Sequence, residues 1–290
     1  MQVADFLLYL RHVKKFSLPT IKGYRSVISN TVNADVGTNI DISNLIKSFA
    51  LEIPVNSNSV VPWNLDIVLH YLRSDLFEPM GSISLKCLSM KTLFLMFMAT
   101  AKRVSELQAC SCDVGFAQGD VFVSYLPSFV AKTESHVNPL PRFFKILSLA
   151  DLVGNEEDRY LCPVRALKFY LDRVRETRGQ CKNLFVSIKQ NDVPLSKNAM
   201  SFLIKKLIIE AHEWAHEDII RTTRVKVHDV RAVSTSLARS LNVPLQTILE
   251  SATWKTHSVF VAHYLKQLTL AYGDIYSLGP LVTAGAAVNV

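Results

Sequence analysis

Between His228 and Tyr264 the chain reads HDVRAVSTSLARSLNVPLQTILESATWKTHSVFVAHY, a stretch dense in groups that can act on a phosphate. His228 and Arg231 stand three residues apart, one helical turn, so both side chains can address the same point. Downstream come an indole, Trp254, and a phenol, Tyr264. An Arg fork grips two phosphate oxygens, a His donates a hydrogen bond or moves a proton, and a Tyr hydroxyl can become a covalent nucleophile. Together they suit holding a phosphodiester and attacking it with a phenol, with no metal and no cofactor. A His-x-x-Arg pair is common on helices, however, and a Trp or Tyr in an apolar helix is usually core. The rest of the chain has to decide.

Charge points the same way. The 290 residues carry a formal net charge of +7 and a pI near 9.1, a balance that favours a polyanionic partner such as nucleic acid. Between residues 221 and 266 seven Lys or Arg side chains face two carboxylates, Asp229 and Glu250, a local net of +5. With 49% hydrophobic residues the chain can bury a sizeable core. Its five scattered cysteines suggest a reducing compartment rather than a disulfide framework. The most apolar run, Leu93 to Ala101, is far too short to span a bilayer and the N-terminus lacks signal-peptide character, so a soluble protein without a membrane partner is expected.

The elements that must position these groups read as mainly α with a small antiparallel β-sheet, an α+β chain. Phe6, Leu7, Leu10 and Val13 recur at helical spacing. Ser17 can cap a second helix that begins at Pro19 and places Ile21, Tyr24, Ile28 and Thr31 on one face. Residues 54–62, PVNSNSVVP, read as a linker, so a short helical domain over 1–55 precedes a larger one over 60–275, with a tail at 276–290. Leu65 to Leu76 and Leu85 to Cys110 predict helices, the second apolar nearly all round and therefore central. Arg103 falls in its C-terminal half, where it needs an anion: Glu106, three residues on, or a phosphate. Asp120 to Tyr125, Ser128 to Ala131 and Phe143 to Leu147 predict two or three strands, with Lys132 in a hairpin turn. Helices are expected again over Val164 to Val174, Ala199 to His216 (capped by Ser196), and in two or three pieces from His228 onward.

A competing motif lies at the end of the predicted helix Ala199 to His216. His212-Glu213-Trp214-Ala215-His216 matches H-E-x-x-H, in which two His one turn apart bind zinc and the Glu activates water. Its extended form wants Gly and His where Ile219 and Thr222 stand, and the spacing nominates no third ligand. The surrounding EAHEWAHED reads as a solvated helix end.

Taken in order, Arg103, Lys132, His228, Arg231, Trp254 and Tyr264 make the chain resemble the tyrosine recombinases, the phage integrase family. TAKRVSEL resembles that family's first Arg motif, HDVR its second, and TWKTHSVFVAHY its His-or-Trp and nucleophile segment. Twenty-three residues separate Arg231 from Trp254, much as in the family; the ten from Trp254 to Tyr264 are one more than in its best-known bacterial and phage members. Cys162-Pro-Val-Arg-Ala-Leu167, the Trp in place of His, and the small-residue stretch Ser277 to Gly285 are similar to the recombinases of DIRS-type retrotransposons. Two departures stand out. Thr253 and Ala101 occupy positions where the family often has Gly, and neither is expected to touch the chemistry. The N-terminal DNA-clamping domain also looks shortened.

The resemblance implies DNA strand cleavage and rejoining. Tyr264 would attack the phosphate and form a 3′-phosphotyrosyl bond, Arg103 and Arg231 would hold the non-bridging oxygens, and His228 would assist proton movement. Trp254 would position the phosphate, and Lys132, or Lys145 in its place, would protonate the departing 5′-oxygen. It implies double-stranded DNA as partner, a homotetramer on paired sites, a mobile-element enzyme in the nucleus, and no cofactor. A DNA-binding protein with a fossil site, a type IB topoisomerase and a zinc peptidase are the rival readings.

Overall fold

The computed structural model describes residues 2–32, 35–52, 63–132, 134, 139, 141–149, 159–216, 225–254, 260 and 264–265. The expected linker and the expected C-terminal tail lie outside the described residues. The chain divides into two units, Met1–Ser57 and Asn58–Val290.

The first unit is helical: α1 Gln2–His12, α2 Leu18–Thr31, the single turn α3 Asp35–Thr38, and α4 Ile40–Leu51. Ser17 caps α2, its hydroxyl accepting from the Thr20 amide, and Asn39 caps α4 by accepting from the amides of Asp41 and Ile42. Leu7, Leu10, Ile21, Val36, Ile42, Ile46 and Phe49 form its core. Of the predicted α2 face only Ile21 is fully buried. Tyr24 stays exposed, stacked on Phe16 with its ring edge-on to Phe6.

The second unit is built around one central helix. It contains α5 Leu65–Arg73, α6 Leu85–Thr100, α7 Val104–Gln108, β1 Cys110–Ala117, β2 Asp120–Tyr125, β3 Phe143–Ile146, α8 Pro163–Val174, α9 Lys197–Trp214, α10 Val227–Ser240 and α11 Leu245–Ser251. Ser84 starts α6 by accepting from the Cys87 amide at 3.1 Å, and every residue from Leu88 to Thr100 is buried. Helices α8, α9 and α10 pack around it, as an all-round apolar helix requires. At about 1.5–3 kcal/mol for each fully buried large apolar side chain, α6 is the main anchor of the unit.

One predicted helix breaks in two. The sequence pattern runs from Leu85 to Cys110, but α6 stops at Ala101, whose φ of 49° is left-handed, and Arg103 becomes the N-cap of the separate helix α7. No Gly or Pro marks the break. An Ala in the left-handed region stops a helix as a Gly would, without the sequence signal.

Strands β1, β2 and β3 form an antiparallel meander in that order. A two-residue turn joins the first two, with φ of 51° at Gln118 and 87° at Gly119, as a tight hairpin of right-handed twist requires. Alternation is clear in β2, where Val121, Val123 and Tyr125 point inward. The sequence reading missed β1, an edge strand exposed over half of its length. Ser128 to Ala131, read as a strand, is instead part of the irregular connection between β2 and β3. Among the described residues no helix is long and apolar enough to cross a membrane.

Candidate active site

Arg231 projects from the first turns of α10 into the protein and is 1% exposed. One of its terminal nitrogens, Nη2, donates to the carbonyl of Ala252. Its Nε and Nη1 are buried and have no hydrogen-bond partner among the described residues. Two rings flank the guanidinium: its carbon is 4.5 Å from the centre of Trp254 and 5.2 Å from that of Tyr264. The rings themselves are 4.4 Å apart and tilted by 38°, and Trp254 also stacks on Phe260. The indole Nε1 of Trp254 is likewise buried without a partner.

Burial, and next to it the charge of Arg103, push the Arg231 pKa down to about 10. Cation–π contact softens that cost, but two nitrogens of a buried cation still lack an acceptor among the described residues, and such groups are costly unless an anion meets them.

Arg103 comes to the same place from α7. Its Nη1 donates to Glu106 Oε1 at 2.6 Å and to Thr253 Oγ1 at 3.0 Å, and its backbone amide donates to Glu106 Oε2 at 2.8 Å. Glu106, 1% exposed, is therefore the carboxylate that holds Arg103, as its place three residues on allows. Burial pushes its carboxyl up, but the hydrogen bond from the Arg103 backbone amide and the charges of both arginines outweigh this and hold it below the ordinary carboxylate value. The site thus has two guanidinium groups against one buried carboxylate.

His228 lies on the first turn of α10 at an exposed position. Burial of part of its ring, and then the charge of Arg231, lower its pKa. It borders a groove of about 310 Å³ lined also by Val104, Phe202, Lys205, Lys226 and Val227. Phe202 is 62% exposed there.

The two candidate lysines differ. Lys132 is exposed, in a turn that the Glu134 side chain closes by accepting the Ala131 amide at 3.0 Å, while the Glu134 amide donates to the Ala131 carbonyl. It has no hydrogen bond or ion pair among the described residues. Lys145 is on β3, paired with Asp120 at 2.8 Å and over the Phe122 ring. The structure brings Arg103, Arg231, Trp254 and Tyr264 together, sets His228 one turn before Arg231, and leaves Lys132 on a surface turn.

Three contributors escaped the sequence reading. Glu106 was seen only as a partner that could make Arg103 unremarkable, yet it is the counter-ion of the site. Lys102, 7% exposed, has its ammonium over Phe144, and burial pushes it down to about 8, Glu106 opposing and Arg231 reinforcing. Thr253 was expected to be remote from the chemistry. Instead its hydroxyl touches both Arg103 and Glu106, and its φ is 54°. The family's glycine position is thus a left-handed turn beside the arginines, which the linear motif does not reveal.

The zinc motif does not assemble. His212 is buried, with Nδ1 donating to the Ile208 carbonyl at 2.8 Å and Nε2 accepting from the Asn64 amide at 3.0 Å. Both ring nitrogens are used, Nδ1 within α9 and Nε2 in holding α9 to the start of α5. His216 lies past the end of α9 with φ 57°, off the helical face a His pair would need.

Solved structures share this arrangement of elements. A Tn1549 transposon integrase in complex with transposon right end DNA aligns over 92% of this chain and 81% of that one, with a TM-score of 0.57 and 15% identity. Another structure of that integrase, in complex with a circular intermediate DNA, aligns over 90% and 79%, at 0.53 and 15%. The fold is that of the tyrosine recombinases. A XerA recombinase also aligns, over 92% and 77% at 15% identity, with a TM-score of 0.47. No protein-family profile matches the sequence, and no curated protein matches it.

Proposed function

We propose that this chain breaks and rejoins double-stranded DNA through a covalent link to Tyr264. One observation carries the reading: two nitrogens of Arg231 and the indole N–H of Trp254, which have no partner among the described residues, are buried beside the ring of Tyr264. A phosphodiester supplies the acceptors these donors lack and places phosphorus within reach of a phenol.

On this reading the Tyr264 oxygen attacks phosphorus in line, the new P–O(Tyr264) bond forms and the bond to the 5′-oxygen breaks. Arg103 and Arg231 take up the charge that grows on the non-bridging oxygens. His228, kept uncharged by partial burial and by Arg231, accepts the phenolic proton, and Lys132 gives a proton to the departing 5′-oxygen. A 5′-hydroxyl from another strand reverses the step, so the phosphodiester energy is retained and no cofactor enters. The groove beside His228, with Lys205, Lys226 and the exposed Phe202, offers a basic and aromatic path for the flanking strand. The Trp at 254, its spacing to Tyr264 and the CPVRAL segment further support a DIRS-like mobile-element recombinase, acting in the nucleus as a tetramer on paired sites.

The test is to incubate the protein with fragmented DNA at low salt without divalent metal, denature it, and sequence the DNA that stays attached. Adducts joined through a 3′-phosphate are expected from the wild type and none from Tyr264→Phe. Salt-sensitive binding with no adduct from either would refute the enzymatic reading and favour a DNA-binding protein with a fossil site.

A further inference from the structure

The corner at Ala252–Thr253 links both arginines. The Ala252 carbonyl accepts from Arg231 Nη2 and lies 2.7 Å from Thr253 Oγ1. That same hydroxyl accepts from Arg103 Nη1 at 3.0 Å and is 3.1 Å from Glu106 Oε1. Arg103 belongs to α7 and Arg231 to α10, and this corner is bonded to both.

The corner is also held in an unusual backbone state. Thr253 has φ 54°, a region that β-branched residues rarely occupy and that glycine occupies freely. Strained conformations persist where the surroundings over-determine them, typically at working sites. Glycine would make this turn more easily but would bring no hydroxyl. What threonine adds is one group that bridges the first guanidinium, its carboxylate and the carbonyl bound by the second.

We infer that Thr253 is a positioning residue that fixes the separation of Arg103 and Arg231, so that the pair meets one phosphate group. The inference rests on the proposed DNA cleavage for its meaning, but the geometry it claims can be read without cleavage. Three variants separate the hydroxyl from the backbone: Thr253→Ser keeps the hydroxyl, Thr253→Val keeps the β-branch and loses it, and Thr253→Gly relaxes the turn and loses it.

Two readouts apply to each. The first is the rate of covalent adduct formation at saturating DNA, alongside noncovalent affinity. The second is the rise in melting temperature on adding inorganic phosphate. Thr253→Val and Thr253→Gly are expected to slow adduct formation at least about tenfold with DNA affinity within about threefold, and to lose at least half of the phosphate-induced rise. Thr253→Ser is expected to stay close to wild type in both, and Thr253→Gly to melt no lower than wild type before phosphate is added. Wild-type cleavage or a wild-type phosphate response in Thr253→Val would overturn the inference. So would a wild type whose melting does not respond to phosphate. If the wild type forms no adduct, yet its phosphate response is lost in Thr253→Val and kept in Thr253→Ser, the proposed reaction fails while the role of Thr253 stands.

Discussion

Two clusters of buried charge lie in the larger unit, and they are finished to different degrees. Glu78 sits against Lys91 and Arg165. Lys91 Nζ donates to Glu78 Oε1 at 2.6 Å and to the Leu72 carbonyl at 2.8 Å, and Arg165 grips both carboxylate oxygens at 2.8 and 2.9 Å with its guanidinium over Tyr160 and Phe169. This triad ties α6 and α8 to the loop that follows α5, and its cations have protein acceptors. Around Glu106 the second cluster also sets two cations, Arg103 and Arg231, near one carboxylate, but among the described residues Arg231 keeps two nitrogens without a partner. A charge cluster that holds a fold closes its own hydrogen bonds. One that keeps buried donors open is suited to an anion from outside.

The comparison can be strained at each cluster. Glu78→Gln leaves Lys91 buried without a counter-charge and should cost about 3–5 kcal/mol of stability, read as a fall in urea midpoint. The pH response has the same origin. Burial pushes the Glu78 carboxyl up, but hydrogen bonds from Arg165 and Lys91 and their charges outweigh this and hold it below the ordinary value of 4.5. A carboxyl depressed in the folded state gives stability that is present above that value and lost as pH falls through the folded pKa. The wild type should therefore lose urea resistance below about pH 4.5, and Glu78→Gln should lose less over that range. An equal acid loss in both would remove the triad from its structural role.

A smaller and purely chemical effect separates the lysines. Among the described residues Lys132 has no ion pair, whereas Lys145 is tied to Asp120. Lys132→Ala should slow adduct formation about 10²-fold or more, the usual range for a lost general acid, and Lys145→Ala by much less. A substrate with sulfur in place of the bridging 5′-oxygen needs no proton on departure and should restore the rate of Lys132→Ala. If it restores Lys145→Ala instead, the proton donor is the lysine on β3.

The sequence made some of this legible and hid the rest for physical reasons. Side-chain period exposed α6 as the central helix and caps such as Ser17 and Ser196 located helix starts, because these signals are local. The order Arg103, Arg231, Trp254, Tyr264 also pointed to residues that do lie together. Hidden were the features set by tertiary contact. The left-handed Ala101 that frees Arg103 from α6 carries no glycine to announce it, the exposed edge strand β1 has no clear alternation, and Thr253 meets Glu106 across 147 residues. His212 looked like a metal ligand because its partner, the Asn64 amide, is a backbone group 148 residues away.

The most direct test of the difference between the clusters is Arg231→Gln, measured for urea midpoint and covalent DNA yield in the same preparation. Removing a buried cation whose Nε and Nη1 lack partners should leave the midpoint near or above wild type while adduct yield falls about 10²-fold or more, as when a charge-stabilising donor is lost. A loss of stability comparable to that of Glu78→Gln, or adduct yield at the wild-type level, would contradict the assignment of Arg231 to a phosphate.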